Sequence, residues 1–215
     1  ADESSGWILD PSGCMRFVGS PPEYVCQNSI EFALESFGPR QPHTIVVPEG
    51  VACILSWAFH RAPVKEIRLP RSIIEIGHGA FSQSSIETFS EPEGCGTRIR
   101  YGEEVFHRCS QLRSASFSKQ FDRVPAFFFR GCRDLAVLRL PASVRVVGYG
   151  SFWGCHKLNT GLLELPLLAE IDAASFGESA AESFSCSRGL LLVEPYAFMA
   201  CNALTEFDGS GALNL

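Results

Sequence analysis

The chain has 215 residues, 46 % hydrophobic and 20 % charged, which excludes intrinsic disorder, a state that needs low hydrophobicity and high net charge. Its 18 basic and 24 acidic residues leave a net charge of −6, so the chain as a whole is not drawn to nucleic acid or anionic lipid. No run approaches the roughly eighteen apolar residues of a membrane span, and no membrane insertion is expected in this segment.

The opening stretch, ADESSGWILDPSG, is acidic and lacks a basic region followed by an apolar run, so it does not read as a signal peptide. That points to a chain that stays inside the cell or to a piece of something longer. Residues 1–27 read as an N-terminal flank. From residue 28 to residue 215 the chain repeats, and the repeat has to be found before secondary structure is assigned. Phenylalanine recurs at Phe37, Phe59, Phe81, Phe106, Phe129, Phe152, Phe176 and Phe198, at spacings of 22, 22, 25, 23, 23, 24 and 22. Five positions before each anchor lies an apolar residue: Phe32, Ile54, Ile76, Tyr101, Val124, Val147, Ile171 and Val193. A small or apolar residue directly precedes each anchor, as Ala58 and Ser151 do. Three positions after it stands Cys109, Cys132, Cys155 or Cys201, with Ala62, Ser84 and Ser179 in the same slot elsewhere.

Each part of the unit has a physical reading. Alternation such as Ile67, Arg68, Leu69 turns two residues inward and one outward on a strand, and Pro70 stops the strand by removing a ladder donor. A second short strand, as in Ile74, Glu75, Ile76 or Arg145, Val146, Val147, follows on the next side of the coil. Gly77 and Gly148 ease the turn into the corner that buries the Phe. A unit this short cannot enclose a core alone, so successive units must stack, about 4.8 Å apart. The fold expected is a right-handed, β-rich solenoid of about eight coils of 22–25 residues with little regular helix.

Three stretches depart from the pattern. SEPEGCGTRIR, at 90–100, is an insertion that stretches one spacing to 25. Residues 177–190 lose the Leu-x-x-Ile-x-Leu-Pro strand and read AESFSCSRG, while residues 168–184 have the composition of a helix. The stretch from Leu204 to Leu215 shows no obvious cap, so the array is expected to continue or to be covered by an irregular tail.

The unit resembles the leucine-rich repeat family in its BspA-like subtype, known from bacterial and protist surface antigens. EIRLPRSIIEIGHGAFSQSSIETF and AVLRLPASVRVVGYGSFWGCHKL carry the resemblance, which covers about residues 28 to 215. WILDPSGCMRFVGSPPEYVCQNSIEF is similar to the degenerate, hairpin-bearing segments that interrupt such arrays. The resemblance implies a leucine-rich-repeat solenoid that is exposed at a cell surface and takes part in adhesion.

Candidate chemistry dissolves once the stacking is applied. Cys109, Cys132 and Cys155 fall in one column, with the outer two about 10 Å apart, too far to share a zinc ion. Parallel Cβ vectors in a stacked ladder also keep neighbouring cysteines from bridging, so these read as buried thiols. The other cysteines, Cys14, Cys26, Cys53, Cys95 and Cys186, show no ligand spacing, and Cys95 is expected to be exposed. His60 and His107 each follow an anchor Phe but lie two coils apart. His156 follows Cys155, and with Cys155 facing inward the two point apart. GYGSFWG, at 148–154, looks like a dinucleotide loop, yet such a loop must follow a strand and open a helix, and the repeat accounts for it. Ser116 and Lys119 have the spacing of a Ser-Lys pair with no helix to align them. No catalytic, cofactor-binding or metal-binding residue is assigned, no cofactor is expected, and the chain does not read as an enzyme.

What remains is the surface. Outward residues of the first strand form a column, Val46, Arg68, Ser90, Ser116, Arg139, Glu164 and Asp208, whose mixed chemistry suits recognition of a protein through many small contacts. Arg68 and Arg139, as planar donors, are the expected hot spots. From Arg98 to Arg145 there are ten basic and four acidic residues, and from Glu164 to Asp208 eight acidic against Arg188 alone, so a basic centre adjoins an acidic end. The expected function is a non-enzymatic protein-binding module, at the cell surface by the resemblance; the missing signal peptide and the reduced-looking thiols leave open an intracellular scaffold.

Overall fold

Short strands at the two expected places in each unit make a stacked coil in the structure, a computed structural model. It describes residues 6–9, 11, 14–18, 24–26, 42–94, 98–118, 120–158, 165–185 and 189–208. An antiparallel hairpin, β1 (Gly6–Leu9) and β2 (Cys14–Val18), opens the chain. The first strand of each later coil is β4 (Thr44–Val46), β6 (Glu66–Arg68), β8 (Thr88–Ser90), β10 (Ser114–Ser116) and β12 (Val137–Arg139). With the hairpin they form one seven-stranded sheet, β1-β2-β4-β6-β8-β10-β12, parallel from β2 onward. Further along, β15 (Ser183–Ser185) and β17 (Glu206–Asp208) pair in parallel by themselves.

The second strands make two further parallel sheets. The first contains β3 (Tyr24–Val25), β5 (Cys53–Ile54), β7 (Glu75–Ile76) and β9 (Arg100–Tyr101). The second contains β11 (Arg123–Val124), β13 (Val146–Val147), β14 (Glu170–Ile171) and β16 (Leu192–Val193). No pairing joins β9 to β11.

At the corner the anchor phenylalanines stack face to face. Centroids from Phe59 through Phe81, Phe106, Phe129, Phe152 and Phe176 to Phe198 are 5.2–5.5 Å apart, with ring planes within 17° of parallel. All but Phe198 are fully buried. The backbone locks this stack. Each anchor N–H donates to the carbonyl of the residue just before the next anchor: Phe59 N to Ala80 O at 2.7 Å, Phe106 N to Phe128 O at 2.9 Å, Phe176 N to Ala197 O at 2.7 Å.

To aim that N–H along the solenoid, the chain turns sharply on both sides. The residues two before and two after every described anchor have positive φ. Four of these positions are glycine (Gly79, Gly131, Gly150 and Gly154), and ten are not, from Trp57 at 63° to Ala200 at 55°. Each non-glycine there costs roughly 1–2 kcal/mol, which the neighbouring coils must offset. Gly79 is needed for another reason as well: a Cβ there would lie 2.4 Å from the Trp57 ring of the preceding coil.

Two expectations are corrected, and a third falls on Phe32 and Phe37, which lie outside the described residues; Val25 pairs in register with Ile54 and is buried. Residues 168–184 hold no helix. Asp172 N donates to Val147 O at 2.9 Å and Phe176 N to Ala197 O at 2.7 Å, so the amides that a helix would bond internally are taken by the adjacent coils, and stacking overrides propensity. The stretch 177–190 keeps its first strand as β15, with Phe184 buried in the place of the usual aliphatic residue.

Two outcomes test this core. Phe129→Ala opens a hole in the stack and is expected to lower unfolding free energy by about 3–5 kcal/mol, read by denaturant titration. Glu178→Gly, at an exposed position with φ of 51°, relieves left-handed strain and should raise stability by roughly 1 kcal/mol; a loss instead would contradict the strained-corner reading.

Candidate interaction face

The first-strand sheet turns the middle residue of each three-residue strand inward: Ile45, Ile67, Phe89 and Ala115 are buried, and Leu138 packs against the same core. Their neighbours point out by the two-residue period of a strand. Register places Val46 beside Arg68, Ser90 beside Ser116, and Ser116 beside Arg139. β6 and β8 are bridged at Glu66–Thr88 and diverge beyond it. A shallow opening of about 240 Å³ lies there, with Arg68, Thr88, Ser90 and Glu91 at its edge. Five of the seven expected face residues thus share one sheet. Asp208 does not, since it pairs with Ser185 in the separate two-stranded sheet, and Glu164 lies outside the described residues.

The same ladder adds residues that the repeat did not reveal. Arg16 pairs with Val46 and continues the row into the hairpin, where no anchor Phe marks the register. The alternation within CMRFV was the available signal. Ser185 was hidden by the loss of the proline-closed motif.

Charges on this face differ in their surroundings. Arg68 Nε donates to Glu66 Oε1 at 2.8 Å, and Thr44 Oγ1 donates to the other oxygen of Glu66 at 3.4 Å. No described carboxylate pairs with Arg139, which is exposed. Between the two arginines Ser116 Oγ donates to Ser90 Oγ at 3.0 Å. Beside this row Glu87 takes Lys65 at 3.1 Å and Arg113 at 3.4 Å, and its bond to Lys65 holds its carboxyl below the usual range. The result is a strip with hydroxyls at the centre and a guanidinium at each end, opened between Arg68 and Ser90.

The other candidate groups are held apart. Cys155 is fully buried while His156, next in sequence, is exposed. His60 packs edge-on to Trp57 at 5.3 Å, and His107 pairs with Glu104 at 3.2 Å while burial lowers its pKa. Ser116 sits on a strand; Lys119, Cys95 and Cys186 lie outside the described residues. The ladder cysteines do more than fill space. Cys109 Sγ donates to Phe81 O at 2.9 Å, Cys132 to Phe106 O at 3.0 Å, Cys155 to Phe129 O at 3.2 Å and Cys201 to Phe176 O at 2.9 Å. Each thiol therefore bonds the anchor carbonyl of the coil before it. Burial pushes the Cys109 thiol up to about 12, and Cys132 and Cys155 in the same direction.

Stacked coils, a phenylalanine spine and an outward strand row define a leucine-rich-repeat solenoid. A family model, the BspA type leucine rich repeat region, matches residues 34–159 in 6 copies. The chain belongs to the BspA-type leucine-rich repeat family. Among solved structures, a leucine-rich repeat protein from Bacteroides ovatus superposes with a TM-score of 0.63 at 22 % identity, covering 78 % of this chain and 49 % of that one. The chain thus spans about half the length of that protein. The T. pallidum leucine rich repeat protein gives a TM-score of 0.52 at 17 % identity, covering 97 % of this chain and 80 % of that one. No match was found among curated proteins.

The thiol ladder predicts a pH dependence with a definite sign. An acid whose pKa is raised in the fold stays neutral there while the unfolded thiol ionises. Stability is therefore full below about pH 9 and declines as pH climbs toward about 12. Replacing Cys109 by Ala should flatten that alkaline decline in urea titrations at stepped pH; an unchanged slope would remove the thiol as its cause.

Proposed function

We propose that the chain is a non-enzymatic protein-binding module that presents its first-strand face, in cell-surface adhesion or recognition. The observation that carries this reading is the outward row from Arg16 through Val46, Arg68, Ser90 and Ser116 to Arg139 on one sheet, paired in register from Arg16 to Arg68 and from Ser90 to Arg139 and bridged between the two at Glu66–Thr88. The inward residues Ile45, Ile67, Phe89 and Ala115 are buried in the core, so the outward row can vary at little cost to the fold. A strip of hydroxyls between guanidinium groups suits a partner surface that offers carboxylates and backbone carbonyls, with Arg139 as the strongest anchor because no described carboxylate neutralises it. Family membership supports the repeat-based binding role. The cell-surface setting is carried by the resemblance to BspA-like antigens.

The double variant Arg68→Glu with Arg139→Glu is expected to abolish capture of a protein partner while moving the melting temperature by no more than a degree or two, since exposed charges contribute little to stability. Calorimetry and surface-plasmon binding on the same preparations read both quantities. Retained binding would take the site off this face.

A further inference from the structure

Among the described residues, the side of the solenoid built from second strands is interrupted once, between β9 and β11. The coils stay joined on either side of the gap. On one side Thr88, Phe89 and Ser90 pair with Ser114, Ala115 and Ser116; on the other, Glu104 N donates to Ala126 O at 3.1 Å. Three causes hold the gap open. In other coils the residue four before the anchor donates its N–H to the preceding coil: Gly77 to Ile54 O and Gly102 to Ile76 O at 2.8 Å, Gly148 to Val124 O at 2.9 Å. Here that residue is Pro125, which has no N–H. Secondly, Arg100 and Arg123 stand at the outward place of the ladder, opposite Glu75 and Val146 respectively. A closed ladder would set the two guanidinium groups against each other, a destabilising pair. Each instead reaches a carboxylate on its far side, Arg100 to Glu75 at 2.7 Å and Arg123 to Asp172 at 3.5 Å. Thirdly, Tyr101 replaces the usual aliphatic residue and wedges edge-on against Phe121 at 5.5 Å.

The gap is an opening of about 430 Å³. Ile99, Tyr101, Phe121 and Pro125 line it with apolar surface, and Arg98, Arg100 and Arg123 stand around it. Arg98 crosses it to Asp122 as an exposed ion pair. The three arginine side chains are more than half exposed, and each guanidinium has five donors in a planar fork.

We propose that this gap is a binding pocket for an aromatic carboxylate. The ring lies against Tyr101 and Phe121, where edge-to-face contact adds to burial. The carboxylate sits between Arg100 and Arg123, each of which keeps donors beyond those given to Glu75 and Asp172, with the planar geometry that guanidinium groups favour. A free aromatic acid and an aromatic residue at the C-terminus of another chain present the same chemistry. The site is independent of the first-strand face.

The test is an NMR titration of the full chain with phenylacetate, phenylacetamide, acetate and N-acetylphenylalanine, following the Tyr101 and Phe121 rings and the arginine Nε–H signals. Saturable, millimolar binding of phenylacetate at these residues is expected, with phenylacetamide and acetate each weaker by about tenfold or more. Tighter binding of N-acetylphenylalanine than of phenylacetate assigns the pocket to chain termini, and the reverse order assigns it to free acids. The Arg100→Gln, Arg123→Gln variant should lose the preference for phenylacetate over its amide at unchanged melting temperature; Arg68→Glu with Arg139→Glu should keep it. No saturation, shifts elsewhere, equal binding of the amide, or a preference that survives loss of both arginines would overturn the assignment.

Discussion

The peptide N–H of each anchor phenylalanine points along the solenoid axis into the carbonyl one coil further on, and most of the architecture follows from that bond. It fixes the step between coils at the spacing of a parallel β-ladder, although the corner itself has no strand conformation. The rings, carried on the same residues, are forced into a parallel stack. The slots around them are then constrained: the residue before the anchor must be small or buried, and the one three after must sit under the preceding carbonyl. A cysteine there returns a weak S–H bond to the coil before, so the corner is tied in both directions. The two left-handed residues that flank each anchor are the cost. Strain of this kind persists only where the surroundings over-determine the conformation, and here adjacent coils supply that determination. Stability accordingly resides in interfaces between repeats more than in the repeats themselves.

A corner that carries the register lets the rest of the coil deviate. The insertion that follows β8 adds residues on one side of the turn, and the second strands lose their pairing beside it. Register is recovered at Glu104 and Phe106, whose amides reach Ala126 and Phe128 as in any other coil. Glu91, at the base of the insertion, accepts from Tyr101 Oη and from Ser118 N, each at 2.6 Å. It ties the irregular segment to the wedge that holds the gap open. The ladder break is therefore bounded and shaped, with intact coil contacts on both sides of it.

Much of this was legible in the sequence, and what was not has physical reasons. Phenylalanine spacing and the cysteine column are side-chain signals that survive in one dimension, and they located seven described corners and two strand ladders. The left-handed positions left no signal because only a minority of them are glycine; the neighbours tolerate Trp57, Arg108 or Tyr196 there. The helical composition of 168–184 misled because alanine and glutamate report local preference, whereas Ile171 and Phe176 are fixed by coils before and after them. Val25 gave no signal because the residue five positions on is Ile30 and not the phenylalanine that marks the other corners. Of the expected face, the register of Val46, Arg68, Ser90, Ser116 and Arg139 was readable from spacing alone. The displacement of Asp208 was not, since it depends on which strand each partner meets in three dimensions. Pro125 was visible throughout, and its meaning emerged only when the neighbouring coils showed the donor it lacks.

Charge pairing differs between the two sides of the coil. On the first-strand side Arg68 meets Glu66 within its own strand, and Arg139 stands two coils beyond Ser90 with no described carboxylate beside it. On the second-strand side every arginine at the gap pairs across coils, Arg100 back to Glu75, Arg98 forward to Asp122 and Arg123 forward to Asp172. On the first side Glu87 does join Lys65 and Arg113 across coils, but Arg68 and Arg139 stand three coils apart with no described partner in common, so the effects of substituting them should add independently, as expected for sites beyond about 10 Å. On the second side a change at one coil redistributes partners one or two coils away, so charges at the gap act as a set. A solenoid whose core couples only neighbours can in this way carry two arginines that vary independently on one side and a cluster at the gap that responds as a unit.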